Sequence, residues 1–187
     1  MNINYVITLC CLCAGLLFDP VGILRMVLLA SCIHELGHIA AYYICTHSIP
    51  PIAVSIGGFS LGSTCKLSTK NELIVLICGP LANIFTALFF AALAYIKAAY
   101  LLYFFMGANL CIGIYNLLPF GVLDGARIIL CLVPPCKVHK LYTVQNILLI
   151  LFVIVCICVL LFTMPTGNAL IALILAPIYL ILCEYNR

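Results

Sequence analysis

The stretch Ser31–Ala40, SCIHELGHIA, lies inside an apolar run that extends from Val21 to Cys45. An ionisable side chain in such a run is expensive unless it is paired or ligated, so two histidines and a glutamate there ask for a reason. Residues four apart on a helix share a face. His34 and His38 can therefore aim their imidazoles at one ion, with Glu35 beside it. Imidazole and carboxylate are zinc ligands, and HExxH on a helix is the metalloprotease arrangement. In it the two histidines hold the metal and the glutamate takes a proton from the metal-bound water. The bland alternative is a pair of histidines hydrogen-bonded to neighbouring helices, and the rarity of idle ionisable groups in membranes argues against it. Haem fits poorly, because axial ligands approach from opposite faces of the ring and one helix face does not provide both.

Composition agrees with a membrane setting. Of 187 residues, 67% are hydrophobic and 7% charged, with a mean hydropathy of +1.34. A soluble domain has about 45–50% apolar and about 25% charged residues, so there is too little polar surface here to face water. The net charge of +3 comes without a basic patch, which argues against a nucleic-acid partner. The opening MNINYVITLCCLCAGLLFDP has no basic start and no small-residue cleavage pattern, so it reads as a retained span rather than a signal peptide. Most of the thirteen cysteines lie within apolar runs, where reduced thiols act as small apolar fillers. Cys10 and Cys13 share a CxxC spacing, a weak metal or redox signal.

Judged against about 20 apolar residues per crossing, six candidate spans emerge: Tyr5–Phe18, Val21–Cys45, Glu72–Tyr95, Ala98–Leu118, Val144–Met164 and Ala169–Cys183. The expected fold is an all-α polytopic membrane protein of about six transmembrane helices in a single domain, residues 1–187. The spans are not evenly joined. Ser48–Thr69 mixes Pro, Gly and β-branched residues, and the alternation in IAVSIGGFSLGS suggests a β-hairpin dipping into the membrane boundary. A plain surface loop satisfies the same residues. The run NLLPFGVLDG, Asn116–Gly125, carries a proline and two glycines that should break a helix, with a short helix over Ala126–Leu132 to follow.

With six spans both termini share a side. Lys66, Lys70, Arg127, Lys137, Lys140 and Arg187 collect there, against Lys97 and Arg25 opposite, so the positive-inside rule places both termini in the cytoplasm. His38 then lies about 10 Å below the cytoplasmic end of its helix at Cys45, from a rise of about 1.5 Å per residue, which predicts water entry from that side. A catalytic zinc needs about three protein ligands plus water. Asp124 is the other acid placed to reach the bundle. An Asp-Gly pair taken alone is an ordinary turn; beside HExxH, the ligand reading is preferred.

HELGH in the second span, GPLAN (Gly79–Asn83) in the third and NLLPFGVLDG after the fourth together resemble the three signatures of the site-2 protease family of intramembrane zinc metalloproteases. The layout resembles the branch containing the sporulation factor IVB-type proteases. The matching core is residues 21–132, with accessory spans in 1–20 and 144–187. The resemblance implies that His34, His38 and Asp124 ligate zinc and that Glu35 is the catalytic base. It implies that Asn83 stabilises the oxyanion or orients substrate, and that Asn116 and Pro119 shape the break before the aspartate. It also implies that the Ser48–Thr69 segment is a membrane-embedded hairpin holding substrate in extended form.

The family often adds a PDZ or CBS domain. No stretch here matches either, so regulatory membrane subunits become the expected partners, beside a transmembrane protein substrate and the bilayer. The implied setting is a bacterial cytoplasmic membrane, and the implied substrates are membrane-anchored regulators. Two other classes stay open: a catalytically silent homologue that binds membrane partners, and an ion transporter. His47 and His139 read as interfacial residues without catalytic duty. Arg127 is expected to pair locally or snorkel, and the cluster Tyr100–Phe105 to face lipid or pack between spans.

Overall fold

The computed structural model describes residues 16–17, 19–49, 52–55, 58–61, 67–119 and 123–163. These fall into two compact units, one within Met1–Leu117 and the other within Leu118–Arg187.

The first unit is built on three helices, α1 (Ile23–Thr46), α2 (Thr69–Ile96) and α3 (Tyr100–Asn116). Asp19 anchors the head of α1 from outside the helix. Its carboxylate accepts the Arg25 backbone N–H at 3.1 Å, and the Arg25 guanidinium donates to the Asp19 carbonyl at 2.8 Å. Gly22 makes the turn between them at φ 79°, a backbone conformation open to glycine. Ser68 caps α2 by accepting the Asn71 N–H at 3.3 Å. Pro80 lies inside α2. Its missing N–H frees the Leu76 carbonyl, an interruption that membrane helices tolerate where neighbours pack closely.

The three helices pack against one another, with α2 touching both α1 and α3. Small residues make the approach close. Ala30, Ala87 and Ala94 are all buried, and a Cβ placed on Gly37 of α1 would lie 2.6 Å from the Cys78 carbonyl oxygen of α2. Such small-residue seams let membrane helices gain van der Waals contact where no hydrophobic force draws them together. The outward faces run the other way: Ile44 is 72% exposed, Phe85 66% and Leu36 61%, while His34, His38, Asn83 and Asn109 are buried. Polar inside and apolar outside is the arrangement a bilayer requires and water opposes. The Tyr100–Phe105 cluster divides: Tyr100, Leu101 and Tyr103 are exposed, and Phe105 is buried edge-on against Phe90 with ring centroids 4.7 Å apart.

Between α1 and α2, strands β1 (Ile52–Ser55) and β2 (Gly58–Leu61) pair antiparallel, with Ile52 opposite Leu61 and Ser55 opposite Gly58.

In the second unit, α4 covers Asp124–Leu132, followed by a 3₁₀ turn at Pro135–Lys137 and α5 over Val138–Thr163. Helix α4 begins at Asp124 rather than at the expected Ala126, because a carboxylate in the first turn suits the positive end of the helix dipole. Helix α5 starts ahead of the expected Val144, since Pro135 opens a 3₁₀ turn that runs into it. The two helices touch, and Gln145 donates from Nε2 to the Ala126 carbonyl at 3.3 Å.

Among the described residues three stretches are long and apolar enough to cross a membrane: Ile23–Thr46, Thr69–Ile96 and Pro135–Val155. Six spans are not established. The expected Ala98–Leu118 crossing forms α3, whose 17 residues fall short, rising only about 26 Å against about 30 Å of hydrocarbon. Tyr5–Phe18, apart from Leu16 and Leu17, and Ala169–Cys183 lie outside the described residues.

Candidate metal centre

Helix α1 carries HELGH in its central turns, so His34 and His38 fall on its buried face and Glu35, one position round, is half-buried. The two imidazoles meet edge to face, ring planes at 89° and centroids 4.7 Å apart. Their Nε2 atoms are 3.1 Å apart.

The partners on the far side of each ring decide what those Nε2 atoms are. His38 Nδ1 lies 2.8 Å from the Val75 carbonyl oxygen of α2, a group that can only accept. The proton of a neutral His38 is therefore on Nδ1, and Nε2 presents a lone pair. His34 Nδ1 lies 2.9 Å from Asn83 Oδ1. The Asn83 amide nitrogen faces two acceptors, the Ala30 carbonyl at 2.9 Å and Asn109 Oδ1 at 3.0 Å. Those two acceptors fix which end of the amide is oxygen, so His34 Nδ1 is the donor and its Nε2 also bears a lone pair.

With both rings neutral, two lone pairs would face each other at 3.1 Å and repel. A shared cation relieves that. A tetrahedral ion with Zn–N bonds of about 2.0–2.1 Å holds two nitrogen ligands about 3.3 Å apart. The pair fits an imidazole-binding ion, with both outer nitrogens already tied to protein acceptors as metal-binding histidines require.

GPLAN gains a physical reading here. A Cβ on Gly79 would overlap the His38 ring, so only glycine lets α2 pass behind it. Asn83, one turn further, is fully buried behind His34. The first unit thus brings together His34, His38 and Asn83. Asp124 belongs to the second unit, where it is buried in the first turn of α4. Asn116 is the last residue of α3, and its amide donates to the Ile112 carbonyl at 3.0 Å, back onto its own helix. Pro119 follows as the chain leaves α3, and residues 120–122 lie outside the described set.

Asn109 and Gln145 escaped the sequence reading, which followed ionisable residues. Both are amides in apolar runs and both are buried, so the cost of a polar group in hydrocarbon would have singled them out too.

No family model matches the chain, and neither does any curated protein. Among solved structures it is similar to the site-2 protease from Methanocaldococcus jannaschii, with a TM-score of 0.60 at 18% identity, over 98% of this chain and 84% of that one. At that identity the likeness is one of fold.

Proposed function

We propose that this chain is an intramembrane zinc metalloprotease of the site-2 protease kind, in the sporulation factor IVB-type branch, cutting peptide bonds in or near transmembrane segments of membrane-anchored regulatory proteins. The observation that carries this reading is the pair of Nε2 atoms 3.1 Å apart, each opposite an Nδ1 committed to a protein acceptor. The HExxH order, the later Asp-Gly and a fold like that of a site-2 protease support it.

In this reading His34, His38 and Asp124 hold zinc, which when bound makes water a nucleophile near neutral pH. Glu35 accepts the proton of that water and passes it to the leaving amine. In the same reading the positive-inside rule puts both termini in the cytoplasm and water reaches the buried histidines from that face. A helical substrate hides its peptide bonds in internal hydrogen bonds and must unwind before attack. In this reading the β1–β2 pair takes the unwound segment by strand addition. Prolines placed in β2 should then stop cleavage of helical substrates while zinc stays bound.

The deciding experiment measures zinc in the chain purified in mild detergent, with His34→Ala, His38→Ala, Asp124→Ala and Glu35→Gln alongside. About one zinc per chain is expected, lost or weakened in the three ligand variants and kept in Glu35→Gln, which should cut no substrate. A folded wild type without zinc would overturn the reading in favour of a silent or transport role. Zinc that survives Asp124→Ala would remove that residue from the ligand set.

A further inference from the structure

Behind His34 lies a buried chain of amides that reaches the third helix. We infer that Asn109 of α3 is a positioning residue for the metal centre, holding through Asn83 the proton of His34 on Nδ1 so that Nε2 offers its lone pair for ligation. The inference rests on the reading of His34 as a ligand.

The polarity can be followed atom by atom. Asn109 donates from Nδ2 to the Phe105 carbonyl of its own helix at 2.9 Å, which turns its Oδ1 toward Asn83. Asn83 donates from Nδ2 to that oxygen at 3.0 Å and to the Ala30 carbonyl at 2.9 Å. Its own Oδ1 is left to accept from His34 Nδ1 at 2.9 Å. Both asparagines are 0% exposed, so no solvent competes for these bonds.

The opposite arrangement is heavily penalised. Rotating the Asn83 amide would set its oxygen against two acceptors and its N–H₂ against His34 Nδ1. The proton of a neutral His34 would then move to Nε2, the atom facing His38, and block ligation. With Asn109 gone, one of the two acceptors that forbid this rotation disappears and one Asn83 N–H loses its partner. The same bonds bear on the role implied for Asn83. Stabilising an oxyanion requires an N–H aimed at substrate, and both amide hydrogens are donated to Ala30 and Asn109. Asn83 thus acts through His34.

The test compares wild type, Asn109→Leu and Asn109→Asp as full chains in detergent. Leucine keeps the volume and removes the acceptor. A protonated aspartic acid, isosteric with asparagine, accepts from Asn83 and donates to Phe105. Two readouts are taken: zinc affinity by chelator competition, and the tautomer of His34 from nitrogen chemical shifts in metal-free, ¹⁵N-histidine-labelled protein, assigned with His34→Ala. Asn109→Leu should bind zinc about 10–100-fold more weakly and show His34 mixed between tautomers, and Asn109→Asp should restore both. Unchanged affinity and tautomer in Asn109→Leu, with only a lower melting temperature, would overturn the inference. If wild type binds no zinc, the proposed function fails, and the metal-free tautomer decides this inference alone. Should Asn109→Leu not fold, Asn109→Ala takes its place.

Discussion

At the scale of single residues the centre depends on what each side chain is not allowed to do. Gly79 is such a case, because any Cβ there overlaps the His38 ring. Gly79→Ala should push the imidazole off the Val75 carbonyl and weaken zinc binding by at least about 10-fold, the scale of a lost outer partner. Chelator competition on the folded variant measures this. Gln145 is the reverse, a buried group that has not been given enough. Its Nε2 meets the Ala126 carbonyl, but its Oε1 is buried without a partner among the described residues. An unmet buried acceptor costs about 1–3 kcal/mol. Gln145→Met, of similar length, should therefore leave the melting temperature unchanged or raise it. A fall would mean that Oε1 meets a donor outside the described residues. In the sequence, the spacing of His34 and His38 was enough to pair them, since four residues is one helical turn. The role of Asn109 was not legible, because what it contacts is set by how α3 lies on α2.

At the scale of elements, the seam between α1 and α2 controls the register of the centre. His34 and His38 come from one helix, and their outer acceptors Asn83 and Val75 from the other. A shift between the helices would break both bonds together. Gly37 sits at this seam, where a Cβ would lie 2.6 Å from the Cys78 carbonyl oxygen and 2.8 Å from Ala82 Cβ. Backbone cannot rotate away as a side chain can. Gly37→Ala should cost about 1–3 kcal/mol, as overpacking does, and should weaken zinc binding with it. Thermal unfolding in detergent and zinc competition on the same sample check both. The helix α1 was legible from its apolar run. The length of α3 was not, because the apolar run Ala98–Leu118 continues past Asn116, where the helix ends.

At the largest scale, among the described residues of the first unit, large apolar side chains face outward while His34, His38, Asn83 and Asn109 are enclosed. Phe85, near the middle of α2, is 66% exposed, whereas Asn83 two residues earlier is 0% exposed. That contrast fits a lipid exterior. Phe85→Lys should lower membrane insertion of α2 by about 2.5–3.5 kcal/mol, the cost of a lysine at a helix centre, and Phe85→Leu should change nothing. An insertion assay with reporter glycosylation distinguishes the two. If lysine were tolerated as well as leucine, that face would look onto water.

The sequence by itself determined the apolar character of the chain and the candidate ligands. Composition excludes a water-facing surface, and HExxH in an apolar run offers two imidazoles on one helical face, because both properties depend on residue type and local spacing alone. Only the tertiary structure decided the protonation of those imidazoles and the company they keep. Which nitrogen carries the proton depends on acceptors 37 and 49 residues away in the chain, Val75 for His38 and Asn83 for His34. The approach of α2 at Gly37 and Gly79 brings those acceptors within hydrogen-bond reach, and no periodicity along the chain encodes that distance.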